Sequence, residues 1–174
     1  TGKDPRGFAE FRVDDTQRCG NYVLHIGRLI RGKIRCGDKV TVTLTRSRRQ
    51  AIRANHTATH LLNHALRQVI GDEVDQRGSL VADDRLRFDF TAPKALSDAE
   101  LNGVERLVNA SISMDLKVHA DAVSLEDAKS IHGVRAVFGE RYPDPVRVVS
   151  IGVDSGTMLA DPNRERWREH SVEF

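Results

Sequence analysis

The 174-residue chain is 39% hydrophobic and 30% charged, which suits one globular domain or two small ones and excludes a disordered tail. No stretch approaches the roughly 18 apolar residues that cross a bilayer, and Cys19 and Cys36 form no CxxC pair, so we expect a soluble, cytoplasmic protein with structural cysteines. Residues 1–50 hold 12 basic and 5 acidic side chains, whereas the rest holds 15 and 20, so a polyanionic partner would meet the first part.

Short β-branched and aromatic runs, separated by glycine turns, predict three strands in the first part of the chain, at 8–13, 22–30 and 38–45. In the third run Val40, Val42 and Leu44 alternate with threonine, the period-two pattern of a strand. We therefore predict a small antiparallel sheet over residues 1–50 that forms part of a β-barrel.

The period changes near residues 46–54, where strand logic gives way to a helix pattern. Asn55 can cap this helix and Gly71 can end it. The apolar residues of the helix fall on one face, which predicts its core side. They are Ala58, Leu61, Leu62, Ala65, Leu66 and Val69.

The remaining elements alternate between strand and helix patterns. Strands at 78–82 and 85–90 form a hairpin around Asp83-Asp84, and a capping-box pattern at Ser97 to Glu100 opens a helix that runs to about Met114. Further along we predict a strand at 116–123, a short helix at 124–131 and a buried strand at 146–153. This interleaving suggests a two-layer α/β sandwich. Residues 154–174 are polar and weakly patterned, which predicts a loop with a frayed end.

Three histidines, His56, His60 and His64, repeat every four residues on the predicted helix, opposite its apolar stripe. Two imidazoles at i and i+4 can reach one metal ion, although a solvated histidine-rich face gives the same spacing. Thr57 stands where a metalloprotease would carry its glutamate, so that enzyme class is disfavoured. Zinc takes three or four protein ligands, and His170 is a possible third.

Four arginines crowd the boundary between the strand and helix patterns: Arg46, Arg48, Arg49 and Arg53. Such a cluster suits contact with the phosphates of a nucleic acid, and a solvated basic loop is the alternative. Neither a GxGxxG nor a GxxxxGK[ST] motif is present, so the sequence predicts no nucleotide site in this chain.

The segment RANHTATHLLN at 53–63 closely resembles the editing region of the alanyl-tRNA synthetase family. The resemblance continues in order through DQRGSLV at 75–81, DRLRFDFT at 84–91 and YPDPVRVVSIG at 142–152, and NYVLHIG at 21–27 is similar to the end of that family's barrel subdomain. The threonyl enzyme's editing domain shares the HxxxH motif, but the RFDF and YPDP segments favour the alanyl family.

The resemblance implies an α+β fold in which residues 1–50 form part of a translation-factor-like β-barrel. Residues 54–174 would form a two-layer α/β editing domain of the threonyl/alanyl type, truncated at its C-terminus. The implied activity is hydrolysis of tRNA(Ala) mischarged with serine or glycine. A second sieve is needed because an alanine pocket cannot strongly exclude a smaller glycine or a serine with one added hydroxyl.

By the same resemblance His56 and His60 bind zinc, Gln76 lines the editing pocket and Thr57 lies near the substrate. Family members follow S-V-E-F with C-G-G-T-H, whose cysteine and histidine complete the zinc site, whereas this chain stops at Phe174. The zinc site is therefore expected to be incomplete, and ATP would bind only to the aminoacylation domain, which is absent here. The competing interpretation is a non-catalytic tRNA-binding module in which the arginines hold tRNA and the histidines are scaffold.

Overall fold

A computed structural model describes residues 8–136 and 141–174, which divide into two compact units, Thr1–Thr43 and Leu44–Phe174. The architecture mixes helices with three small antiparallel sheets, in agreement with the predicted α+β class. The described residues form no closed barrel. None of their helices combines the length and the apolar composition that crossing a bilayer requires.

The first unit contains one long hairpin, made of β1 (Glu10–Cys19) and β2 (Tyr22–Arg31). Gly20 turns the chain between them with a φ of 58°, a left-handed conformation that favours glycine. The predicted third strand at 38–45 is wrong, because that segment is irregular and pairs with no strand among the described residues. Alternation alone does not make a strand when no neighbour supplies the ladder hydrogen bonds.

The second unit opens with the long helix α1 (Arg46–Ile70), which ends at Gly71 as predicted. The predicted start at Asn55 is wrong, since the helix begins nine residues earlier with Thr45 at its N-cap. Asn55 lies inside the helix, and its side-chain amide donates to the carbonyl of Ala82 at 2.8 Å. The side chain therefore ties α1 to the turn of the following hairpin instead of capping the helix.

One side of α1 packs against β3 (Gln76–Val81), β4 (Leu86–Phe90) and α2 (Asp98–Ser113). The hairpin β3–β4 and the capping box of Ser97 and Glu100 confirm the predictions for this region. Ala65 and Leu66 are buried here together with Val74 and Val104. The apolar stripe seen in the sequence is the core side of this packing.

The second unit contains a further sheet, called the second sheet of this unit, with strand order β5 (Val118–Val123), β6 (Val146–Ile151) and β7 (Val172–Glu173). Helix α3 (Leu125–Ser130) packs on β6. The prediction of a frayed tail is wrong, because residues 154–174 form α4 (Ser155–Leu159), a 3-10 helix (Glu165–Glu169) and β7. Met158, Trp167 and Val172 are fully buried. These three isolated apolar residues anchor a polar segment to the core of the second sheet.

Candidate functional site

Helix α1 presents its histidines on the side opposite its apolar core. His56, His60 and His64 are spaced by four residues, a rotation of about 40° per step, so they form a row along one face. The end of the chain covers part of this row, since Glu173 in β7 contacts His60. The row is therefore a packed interface rather than a fully solvated surface.

The rings of His56 and His60 lie side by side, with centroids 4.8 Å apart and planes tilted by 48°. His56 is more exposed than His60, whose side chain is only 16% exposed, but His56 is still partly covered by its neighbours. Partial burial lowers the pKa of His56 below 6.5, and the nearby charges of His60, Arg147 and Arg49 lower it further. A lowered pKa favours the neutral imidazole at pH 7, the form that donates a lone pair to a metal.

His60 is held by the carboxylate of Glu173, whose Oε2 lies 2.6 Å from Nδ1 of the imidazole. The second oxygen, Oε1, accepts from the side-chain amide of Asn63 at 2.9 Å. Burial by itself raises the pKa of Glu173, but the hydrogen bond from His60 and the charges of His60 and Arg135 hold it below 4.5. An ionised carboxylate only accepts hydrogen bonds, so Nδ1 carries the hydrogen.

The other ring nitrogen of His60, Nε2, is buried and has no hydrogen-bond partner within the described ranges. Leaving a buried polar atom unpaired costs about 1–3 kcal/mol, so such an atom calls for an explanation. A nitrogen lone pair that is buried, unpartnered and next to a second imidazole is suited to a metal ion. In the part of the chain that the structure describes, no group of three or more His, Cys, Asp or Glu side chains is arranged to hold one.

Arg135 contacts the same group of residues and is only 7% exposed. Its Nε lies 3.6 Å from Oε1 of Glu173, and its two terminal nitrogens lie 3.2 Å from Nδ1 of His64 and from the carbonyl of His170. Burial lowers the pKa of Arg135 and the charge of Glu173 raises it, and a guanidinium stays charged at neutral pH. Arg135 therefore neutralises Glu173 and requires His64 to accept through Nδ1.

Gln76, the predicted pocket residue, is the first residue of β3 and lies in a pocket next to this cluster. Thr57 follows His56 on α1 and is partly buried. The pocket is lined by Asn63, Val74, Gln76, Arg135, Glu173 and Phe174, among others. The structure thus brings Gln76 together with Glu173, the residue that also holds His60.

The four arginines proposed to contact phosphates lie on the first two turns of α1 and a little beyond, so the alternative of a solvated basic loop is wrong. Arg46, Arg48, Arg49 and Arg53 are all exposed, and Arg48 pairs with Asp83 at 3.3 Å. A helix holds their side chains at fixed spacing, so they present a basic surface at the N-terminal end of α1.

No family model matches the chain. The curated relatives include an alanine–tRNA ligase of Candida albicans, 52% identical over 97% of the chain, and a mitochondrial alanine–tRNA ligase of Saccharomyces cerevisiae, 49% identical over 95%. A cytoplasmic alanine–tRNA ligase of Dictyostelium discoideum is 46% identical over 94%. The chain is homologous to one segment of the alanine–tRNA ligases.

The chain spans about a sixth of the length of these ligases, 17% of the first two and 18% of the third. The match covers nearly all of the chain, so both compact units belong to the homologous segment. The resemblance read from the sequence motifs is confirmed at this level.

Sequence reasoning missed three members of the site: Asn63, Arg135 and Glu173. Asn63 follows His60 by three residues and so falls on the same side of the helix, a signal that spacing contains. Arg135 and Glu173 are separated from α1 by about 70 and 110 positions, and nothing in the local pattern marks them. His170, considered as a third ligand, instead contributes its carbonyl to Arg135 and packs its ring near Trp167.

Proposed function

We propose that the chain is the editing region of an alanine–tRNA ligase and hydrolyses the ester that joins serine or glycine to tRNA(Ala). The observation that carries the proposal is the pair His56 and His60, with an unpartnered Nε2 on His60, inside a segment homologous to these ligases. An editing step supplies the discrimination that an alanine pocket cannot, because a hydrophobic site rejects small isosteres only weakly.

The second unit suits the two-layer sandwich of the threonyl/alanyl editing type. Helix α1 packs an apolar side against β3, β4 and α2 and a polar side against β7, so it has structure on both sides. The first unit, with its long hairpin, is proposed as part of a translation-factor-like barrel. Its apolar residues Phe11, Val23, Leu24 and Leu29 are each at least 40% exposed, as expected for strands whose barrel neighbours lie elsewhere.

His56 and His60 are the residues that would hold zinc. The fit rests on Nε2 of His60, which is buried without a partner, and on the hydrogen bond from Nδ1 to a carboxylate, the arrangement common to zinc-binding histidines. Two imidazoles fall short of the usual three or four ligands, so they supply half of a site. Zinc, when bound, would act as a Lewis acid on the ester carbonyl or on a water.

The residues of the chain itself would bind and orient the aminoacyl end of the tRNA. The side-chain amide of Gln76 can donate to the oxyanion that develops during ester hydrolysis, since it lines the pocket beside Glu173. Thr57 lies next to His56 on α1, where its hydroxyl can contact the substrate's amino acid. Arg135 and Glu173, which neutralise each other, both line the pocket.

The exposed arginines at the start of α1 are proposed to contact the phosphates of the tRNA. Cationic side chains held on a helix release counterions from a nucleic acid backbone when they bind, which makes the affinity depend on salt. The relatives carry both cytoplasmic and mitochondrial names. We propose the cytoplasm for this chain, where the exposed, unpaired thiols of Cys19 and Cys36 would stay reduced.

The test of editing is deacylation of serine-charged tRNA(Ala). The assay is run on this chain and on one that carries the family's C-G-G-T-H segment after Phe174, each with and without His56→Ala. Hydrolysis that depends on His56 in at least one of the two chains is the expected result. His119→Ala is the matched control, since His119 lies on β5 and belongs to no part of the site. No hydrolysis by either chain, or equal hydrolysis with His56→Ala, contradicts the proposal.

A non-catalytic tRNA-binding module is the second candidate, favoured by the four exposed arginines at one end of α1. The variant carrying Arg46→Ala, Arg49→Ala and Arg53→Ala is expected to weaken tRNA binding and to flatten its dependence on salt. Both candidates predict this result. Binding without any hydrolysis would favour the module, and an unchanged salt dependence would remove the basis for tRNA contact at this helix end.

A further inference from the structure

We infer that Glu173 is a positioning residue of the site: it fixes the imidazole of His60 with the hydrogen on Nδ1, so that Nε2 is the nitrogen left free to bind a metal ion. The inference rests on the proposed function for the metal and on the structure alone for the orientation of His60. Glu173 does not touch the reacting atoms in this scheme and acts only through His60.

The contact is short and unambiguous in direction. Oε2 of Glu173 lies 2.6 Å from Nδ1 of His60, and the two side chains are only 14% and 16% exposed. The carboxylate accepts through Oε1 from Asn63 and lies 3.6 Å from Nε of Arg135, so both oxygens face donors. A carboxylate held in this way offers His60 an acceptor and no donor.

The backbone that carries Glu173 is fixed on both sides. Glu173 is paired with Val149 of β6 on one side and with Arg135 on the other. The amide of Arg135 donates to the carbonyl of Val172 at 3.0 Å, and the amide of Phe174 donates to the carbonyl of Arg135 at 3.1 Å. A two-residue strand between two partners cannot shift far, so the position of the carboxylate is set by the sheet and not by the helix that it orients.

The helix is tied to this strand at a second point. The hydroxyl of Ser171 donates to the backbone carbonyl of His60 at 3.3 Å, so both the backbone and the ring of His60 contact the end of the chain. A carboxylate that accepts from a metal-ligating histidine raises the basicity of the ligand and sets its orientation, and losing it typically costs 10- to 100-fold in metal affinity.

Two substitutions separate this role from a purely structural one. Glu173→Gln keeps the shape of the side chain and removes the charge. Glu173→Asp keeps a negative charge near Arg135 but shortens the side chain by one methylene, so the contact with Nδ1 is lost. Glu165→Gln is the matched control, because Glu165 is an exposed glutamate of the same segment. Circular dichroism at each step verifies that the variants are folded.

The first readout is the tautomer of His60, measured by long-range nitrogen–proton NMR on the metal-free chain. The Nδ1–H tautomer is expected in the original chain and in Glu165→Gln. A rise of the Nε2–H tautomer is expected in Glu173→Asp, and a smaller rise in Glu173→Gln, whose amide oxygen can still accept from Nδ1. The second readout is titration with zinc alone, in which the Nε2 resonance of His60 should shift, with affinity falling roughly 10- to 100-fold in both Glu173 variants.

Any of three results would overturn the inference. The original chain could carry its hydrogen on Nε2, zinc could leave the Nε2 resonance of His60 unmoved, or the Glu173 variants could keep the tautomer and the zinc affinity of the original chain. The outcomes are distinct from those of the deacylation assay. A correct tautomer that depends on Glu173, with zinc binding but no hydrolysis, would support the positioning role and remove the proposed activity. Hydrolysis that depends on His56, together with the Nε2–H tautomer of His60 in the original chain, would support the proposed activity and remove the positioning role of Glu173.

Discussion

The two sides of helix α1 are held by different kinds of contact. On the apolar side, Ala65 and Leu66 are at most 2% exposed and pack with Val74 and Val104, which follow within about 40 residues. On the histidine side, His60 and its neighbours are bound by hydrogen bonds and charges to residues about 70 to 113 positions away. The apolar side stabilises the fold by burial of apolar surface, and the histidine side positions the side chains of the candidate site.

The difference lies also in what each side tolerates. Apolar packing has no direction and adapts to a lost methyl group at a cost that grows with the cavity. The polar side depends on a set of donors and acceptors in which Glu173 serves His60, Asn63 and Arg135 together. Removing one member leaves another buried and unpaired, so substitutions on this side should change chemistry and pH dependence as well as stability.

The largest expected effect is on the apolar side. Leu66→Ala should lower the free energy of unfolding by about 3 kcal/mol, within the range of 2–5 kcal/mol for a buried leucine, because it opens a cavity between α1 and its neighbours. Urea denaturation measures this loss, and Leu101→Ala, at a site 50% exposed on α2, is the control with an effect below 1 kcal/mol. Equal losses for the two variants would contradict the assigned core.

The histidine side should show itself in the dependence of stability on pH. Burial lowers the pKa of His64 from 6.5 to about 4, and the charges of Arg135 and His170 act in the same direction, whereas Glu173 and the backbone of Glu169 oppose it. Between pH 6.5 and 4 the unfolded chain therefore binds a proton that the folded chain does not. Stability from this group is complete above pH 6.5 and falls by roughly 3 kcal/mol as the pH drops to 4.

Other groups titrate in the same window, so the measurement is a difference between two proteins. Urea denaturation at several pH values is compared for the original chain and for His64→Gln, whose amide oxygen can still accept from Arg135 and whose side chain does not titrate. The variant should lose less stability than the original chain between pH 6.5 and 4. Parallel curves for the two proteins would show that His64 is not buried in its neutral form.

The apolar side of α1 was predictable from the sequence, and the histidine side only in part. The spacing of Ala65 and Leu66 encodes one helix face by period alone, and the capping box at Ser97 encodes the start of α2. The spacing of His56 and His60 along one helix face was as visible in the sequence as the apolar stripe. The residues that contact this face, Arg135 and Glu173, were not visible, because they lie in distant segments that share no local pattern with α1.

Two errors have physical causes that lie in particular residues. The start of α1 was missed because residues 46–54 are mostly polar, so the first turns carry no apolar stripe, and Asn55 imitates a cap while its amide binds Ala82. The tail was taken as frayed because Trp167 and Val172 stand alone among charged residues. Their burial depends on the second sheet, a tertiary effect that overrides local propensity.

A smaller effect is expected from Asn63→Ala on the histidine side. This substitution removes a donor from Oε1 of Glu173, and a hydrogen bond to a charged group contributes about 2 kcal/mol. The loss is measured by urea denaturation against Asn109→Ala, at an exposed asparagine of α2 where the change should be near zero or slightly favourable. An Asn63→Ala protein as stable as its control would show that Glu173 does not need the amide.

The smallest effect is expected at the N-terminus of α2, the helix that covers the apolar side of α1. Ser97 accepts from the amide of Glu100, and the carboxylate of Glu100 accepts from Ser97, which lowers the pKa of Glu100 to about 2. Losing an N-cap hydroxyl costs about 1 kcal/mol, so Ser97→Ala should lower the free energy of unfolding by that amount at pH 7, with Ser111→Ala, at a partly exposed position of α2, as control. The bonds that the Glu100 carboxylate accepts from Ser97 are a separate contribution: because the pKa of Glu100 is lowered, that contribution is present above pH 4.5 and is lost as the pH falls towards 2.

The cap and Asn63 belong to opposite sides of α1 and share no partner. The double variant carrying Ser97→Ala and Asn63→Ala should therefore lose the sum of the two single losses, within about 0.5 kcal/mol. A double-mutant cycle by urea denaturation measures whether the two losses add, as they should if the two sides of α1 are independent. A larger departure would mean that α1 transmits strain between its apolar core and the residues that hold His60, in which case the two sides would have to be treated as one unit.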